Sequence, residues 1–255
     1  MYSEDIAKLC DSAVKKAEFL RVSTSKYLLS SALAGVYVGF AVLLAYTIGG
    51  LLAQEYSPFV RIAMGLSFGI ALSLVTFAGS ELFTGNNMTM AVGTLAQQTT
   101  VMDLIKVNVF SFIGNLLGAA VLAGLFISAG LATGSTAAYI GKIAQTKMSL
   151  PWTELLAKGI LCNMLVCLAV WCSIRTKDET AKLIMIFWCL FAFITTGFEH
   201  SVANMTLLSV ALFMPGAAVG SASGFAYNLA VVTVGNVIGG ALMIGCSYWY
   251  ISQKN

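Results

Sequence analysis

The feature that most limits how this chain can fold is where its charges are missing. No Asp, Glu, Lys, Arg or His interrupts residues 27–54, 62–80 or 107–141, and beyond His200 the chain runs uncharged as far as Lys254. A helix needs about 20 apolar residues to cross the hydrocarbon of a bilayer, so each gap holds one or two crossings. A soluble domain carries roughly 25% charged residues to face water. Here 10% are charged and 58% are hydrophobic. Such a chain cannot coat a water-facing surface, and it reads as an all-α membrane protein with the lipid bilayer as its surroundings.

Six spans are expected, at roughly 27–53, 60–98, 107–129, 154–173, 181–214 and 225–250. The second and fifth are too long for one crossing and carry ionisable residues within, which predicts broken helices. Lys and Arg favour the cytoplasmic side of a membrane. With six spans, Lys8, Lys15, Lys16, Arg21, Lys26, Lys106, Arg175, Lys177, Lys182 and Lys254 share one side; Arg61, Lys142, Lys147 and Lys158 fall on the other. Both termini are therefore expected in the cytoplasm. The chain divides into a cytoplasmic amphipathic segment (1–26), a first three-helix repeat (27–129), an extracytoplasmic connection (130–153), a second, inverted repeat (154–250) and a cytoplasmic tail (251–255). Within the first segment Ile6, Leu9, Cys10, Ala13, Val14 and Ala17 recur near helical spacing with lysines opposite, the pattern of a helix on the membrane surface. Residues 1–21 lack the apolar run and small-residue cleavage site of a signal peptide. The net charge of +3 reports orientation and gives no reason to expect nucleic acid. The six cysteines form no CxxC pair and do not neighbour the histidine, so they read as packing residues, with neither disulfide nor metal expected.

An internal repeat supports the division. Gly35–Ala45 in the first span resembles Gly159–Ala169 in the fourth. The break at Gly79-Ser-Glu81-Leu-Phe-Thr-Gly-Asn86 matches Gly197-Phe-Glu199-His-Ser-Val-Ala-Asn204, and Gly114-Asn115-Leu-Leu-Gly118 matches Gly235-Asn236-Val-Ile-Gly239. Three spans per copy is an odd number, so the second copy enters the bilayer upside down. That is the inverted-repeat plan, in which sites form at midplane from discontinuous helices. The glycines at four-residue spacing suit close helix packing and need no other role.

Glu81, Glu199 and His200 are the ionisable residues inside the broken spans. A charge near the bilayer centre costs on the order of 3 kcal/mol or more, so each is expected to face a cavity or a partner. Glu81 and Glu199 occupy equivalent positions and are expected to accept hydrogen bonds from backbone N–H groups freed at the breaks. A carboxylate in a cation or proton path is the alternative. His200, the one histidine of the chain, is either a buried imidazole satisfied by a carbonyl or a donor to an anion that also gains a proton near neutral pH. Thr84, Asn86, Asn163 and Asn204 add neutral donors, and the half-helices restarting near Asn86 and Asn204 aim partial positive ends at the break. Phe68, Leu72, Leu82, Phe83 and Phe193 are packing residues taken singly; together they could form apolar constrictions around His200 that exclude hydrated ions.

These residues carry a resemblance. Glu81-Leu-Phe-Thr-Gly-Asn, Lys147-Met, Leu161–Trp171 and Gly197-Phe-Glu-His-Ser-Val-Ala-Asn-Met205 are similar to the formate/nitrite transporter family over essentially the whole chain. The Leu-Phe-Thr-Gly-Asn-Asn form is most similar to the family's hydrosulfide channels. The resemblance implies an aquaporin-like fold, a homopentamer with one pore per protomer, and no cofactor. It puts Leu72, Leu82 and Phe83 at a cytoplasmic slit, Phe68 and Phe193 at an outer one, and Thr84 and Asn163 near His200. Lys16 and Lys147 would sit in the inner and outer vestibules and attract anions. Three functions compete: a channel or proton-coupled transporter for hydrosulfide, formate or nitrite; a neutral-solute pore, against which the lack of Asn-Pro-Ala boxes counts; and a membrane enzyme, for which one histidine supplies neither nucleophile–base pair nor metal cluster.

Overall fold

The computed structural model describes residues 2–53, 58–214 and 220–253. Lys254, counted above on the cytoplasmic side, and the end of the tail lie outside the described residues. In chain order the elements are α1 (Ser3–Val22), α2 (Thr24–Ala53), α3 (Val60–Gly79), α4 (Phe83–Leu95), α5 (Val101–Ser128), α6 (Gly134–Ser149), α7 (Trp152–Arg175), α8 (Glu179–Thr196), α9 (Ser201–Phe213) and α10 (Ala222–Ser252). Six of these, α2, α3, α5, α7, α8 and α10, are long and apolar enough to cross a membrane. The fold is all-α among the described residues. α5 begins earlier than the charge pattern suggests because Thr100 and Asp103 form a capping box, and Arg21 pairs with Asp103 at 2.7 Å. The connection at 130–153 also contains the helix α6, whose Thr136, Ile140 and Ala144 are buried.

The two long apolar segments break where expected. α3 ends in a turn of π geometry, Val75–Gly79, and α8 ends at Gly197. Gly79 and Gly197 adopt φ of 77° and 80°, a left-handed conformation that a residue without Cβ adopts freely and that terminates helices. After each break a short helix restarts: α4 with Leu82 at its N-cap and α9 with His200. Within each half the first and third spans pack together, α2 on α5 and α7 on α10; across halves, α9 packs on α5 and α4 on α10. A Cβ at Gly118 would overlap the Ala32 carbonyl, and one at Gly239 the Ile160 carbonyl, so both pairs meet backbone to backbone.

Those matched contacts correct one alignment. Gly118 with Ala32 corresponds to Gly239 with Ile160, and the Glu81 N–H donates to the Ser30 carbonyl as the Glu199 N–H does to that of Lys158. Ser31 therefore corresponds to Gly159, and Gly35 to Asn163. The match of Gly35 with Gly159 is one helical turn out of register.

α1 is also placed differently from expectation. Its stripe of Ile6, Leu9, Cys10, Ala13, Ala17 and Leu20 is buried, with Leu9 and Ala13 fully inaccessible. The stripe meets protein, not lipid headgroups: it packs with Met88, Val92, Cys167 and Trp171 at one end and with Tyr27, Met90 and Val107 at the other. The cysteines are free thiols, and Cys172 and Cys246 are only partly buried.

Candidate functional site

Three cavities that share lining residues adjoin one another around the two breaks. One, named outer after the orientation that the lysine distribution suggests, is about 190 Å³, walled by Arg61, Tyr139, Thr146, Lys147, Lys158 and Glu199 and floored by Phe68, Phe193 and His200. The inner one, about 430 Å³, is bounded by Lys16, Glu81, Ser173 and Lys182 and reaches Leu72 and Leu82. Between them is a chamber of about 10 Å³, lined by Val38, Phe68, Ala71, Leu72, Leu82, Val166, Leu190, Phe193 and His200. A water molecule needs roughly 10–15 Å³ by this measure, so the chamber admits one water-sized body without a hydration shell.

The lips of this chamber are apolar. Phe68 and Phe193 meet edge to face with centroids 5.5 Å apart, and Phe193 stacks on His200 at 5.8 Å. Leu72 and Leu82 form the inner lip. Phe83, expected beside them, lines none of the three cavities. It is the first residue of α4, turned away from its neighbour Leu82, and its ring meets Phe112 edge on at 5.3 Å.

His200 is 4% exposed and both ring nitrogens are engaged. The Ala203 N–H donates to Nδ1 at 3.0 Å, making the imidazole the N-cap of α9. That bond assigns the ring proton to Nε2, which lies 3.1 Å from Thr84 Oγ1. Asn163 does not reach the ring. Its Nδ2 donates to the Thr84 carbonyl at 3.2 Å and the Asn236 carbonyl at 2.6 Å, and so positions Thr84.

The breaks themselves are held from the third span of each half. Asn115 Oδ1 accepts from the Phe83 N–H at 3.0 Å, while its Nδ2 donates to the carbonyls of Ser31 at 2.7 Å and Glu81 at 2.9 Å. Asn236 repeats this with Ser201 N–H at 2.9 Å, Gly159 at 2.8 Å and Glu199 at 3.0 Å. The expectation that Glu81 and Glu199 accept from the freed N–H groups is therefore corrected: asparagines do so, and the carboxylates take other partners. Glu81 holds Lys16 at 2.7 Å, Asn86 at 3.2 Å and the Tyr27 hydroxyl at 3.3 Å. Glu199 holds Lys147 at 2.6 Å and Asn204 at 2.7 Å, and Asn204 also reaches Asn228 at 2.8 Å. The paired Gly-Asn motifs were the sequence signal for Asn115 and Asn236; Tyr27, Asn228 and the rim residues had none.

Both vestibule lysines are thus bound to carboxylates. Lys147 and Glu199 retain 13% and 4% side-chain exposure, so separating them would leave a buried charge alone. At the outer rim, burial holds the Tyr139 phenol above its ordinary value, and the positive charge of Arg61 pulls it the other way.

A family model described as formate/nitrite transporter matches residues 3–250. The chain is 39% identical over 256 residues to the nitrite transporter NirC of Salmonella typhimurium, covering 100% of this chain and 94% of that protein. It superposes on an FNT family ion channel with a TM-score of 0.93 and 38% identity, covering 98% of this chain and 100% of that one. Against a pentameric formate channel with formate bound the TM-score is 0.78 at 28% identity, covering 90% and 97%. Similar in sequence and in fold along almost its entire length, this chain belongs to the formate/nitrite transporter family.

Proposed function

We propose that the chain passes small monovalent anions of weak acids, nitrite and formate foremost, through one path per protomer of a homopentamer. The reading places it in a bacterial inner membrane, with both termini in the cytoplasm as the lysine distribution suggests, and makes it a transporter and not an enzyme. The observation that carries it is the chamber. An anion entering a space of about 10 Å³ leaves its water behind and meets apolar lips, which favours small, weakly hydrated or transiently protonated species. Inside, the polar side chain is that of His200, whose Nε2–H turns to the anion from Thr84 Oγ1, 3.1 Å away. The names of the relatives support nitrite and formate. The Leu82-Phe-Thr-Gly-Asn-Asn87 run supports hydrosulfide as a further permeant of the same size class.

Protonation at Nδ1 would set one N–H against the Ala203 N–H that now donates there. His200 therefore acts as a hydrogen-bond donor, and a proton that accompanies the anion comes from water. Lys16 and Lys147, neutralised by Glu81 and Glu199, chiefly hold the broken loops in place.

The test is flux into liposomes holding the purified full chain, with nitrite, formate, hydrosulfide, chloride, water and glycerol in parallel. Weak-acid anions are expected to cross and chloride, with no protonated form at neutral pH, to lag far behind. Passage of water or glycerol with no anion flux would sink the reading.

A further inference from the structure

The outer cavity contains three cations with unequal freedom. Lys147 is tied to Glu199 at 2.6 Å. Lys158 pairs with Glu154 at 3.3 Å one turn away on α7. Arg61 makes no ion pair or hydrogen bond among the described residues. Its guanidinium nitrogen sits over the left-handed turn at Gly197, 3.8 Å from where a Cβ would stand, and that turn leads directly into Glu199 and His200.

A guanidinium at the rim of a path for small anions, with no ion pair among the described residues, has more than charge to offer. Its two parallel N–H groups match two oxygens held in one plane, whereas a single-centred anion must draw both N–H groups to one point through bent, off-axis hydrogen bonds. An ammonium in the same place is a point charge and makes no such distinction. We infer that Arg61 is the capture residue of the outer mouth and selects planar two-oxygen monoanions, the class of nitrite and formate, over single-centred ones such as hydrosulfide and chloride. This rests on the anion-path reading above and adds to it where the selection begins. Lys147, held by Glu199, leaves that task to Arg61.

The experiment compares wild type, Arg61→Lys and Arg61→Gln as full chains in vesicles, with anions supplied on the face bearing Arg61. Exposure of Arg61 at the rim makes both variants compatible with folding, and size-exclusion elution checks their assembly. In Arg61→Lys the ratio of nitrite or formate flux to hydrosulfide flux, read at low anion concentration, should fall about tenfold, the equivalent of one charge-assisted hydrogen bond. Arg61→Gln should lower entry of every anion, more at low ionic strength than at high. An unchanged ratio in Arg61→Lys overturns the inference, because the residue would then be a charge and nothing more. Hydrosulfide passing wild type while nitrite and formate do not also overturns it. A wild type that passes none of the anions removes the anion-path reading itself, before any variant is compared.

Discussion

At His200 the same side chain caps a helix and faces the chamber, and the two jobs separate by substitution. His200→Phe removes the cap and the donor together. It should cost about 1 kcal/mol of stability from the cap and slow formate and nitrite flux about 10–100-fold, the loss of one hydrogen bond to a charged species. His200→Asn supplies a side-chain oxygen suited to an N-cap, so its melting temperature should return to wild type while flux stays reduced. Because Nδ1 is occupied by Ala203 N–H, the pH profile of flux should keep its midpoint in His200→Phe and follow the permeant acid. A flattened profile in that variant would instead identify the imidazole as the titrating group. From the sequence alone, His200 and Thr84 could be singled out as polar groups at a break. The direction of Nδ1 could not, since it depends on where α9 restarts. Phe83 stands apart from the chamber for a similar reason: Leu82 stands at the cap and Phe83 one step round the helix, facing Phe112.

The elements are positioned by a few polar side chains that hold backbone to backbone. Asn236 engages the carbonyls of Gly159 and Glu199 and the N–H of Ser201. Asn236→Leu leaves those three buried groups unpaired, each at about 1–3 kcal/mol. The expected result is a loss of about 3 kcal/mol or more, seen as a lower melting temperature in detergent; an unaltered melting curve would mean that water satisfies the break. Helix breaks were legible because glycines and glutamates interrupt apolar runs. Their partners were not: Lys16 reaches Glu81, and Lys147 reaches Glu199, from far along the chain. The repeat was legible too, but its register slipped by a turn in the first span. A helix returns nearly the same face after four residues, so a small-residue pattern matches itself almost equally well one turn away. The contacts of Ser31 and Gly159 with the two asparagines decide between the alternatives, in agreement with those of Gly118 and Gly239.

In the whole molecule the path is a series of three cavities with two apolar lips, and an ion must clear both. Opening one lip is then not enough to admit a larger solute. Leu82→Ala should leave acetate and lactate excluded, because the Phe68–Phe193 lip remains. Leu82→Ala combined with Phe68→Leu should pass them, measured as uptake into liposomes at equal gradients; passage in the single variant would make the inner lip the sole filter. The number of spans and their alternation of charge were readable from the chain at this scale, since both follow from what hydrocarbon tolerates. The chamber's size was not, because it depends on side chains from α2, α3, α7 and α8 meeting two helix breaks. The caps that border the chamber share one backbone form, φ −95° and ψ 121° at Leu82, φ −110° and ψ 116° at His200. Descent from a duplicated half would give each copy the same socket, clamped by its own asparagine, and each socket could change its occupant without disturbing the clamp. The run Leu82-Phe-Thr against His200-Ser-Val gives the two sockets different occupants. A doubled body plan thus turns a leucine towards one cavity and an imidazole towards the other, so the two approaches to the chamber are chemically unlike although their backbones match.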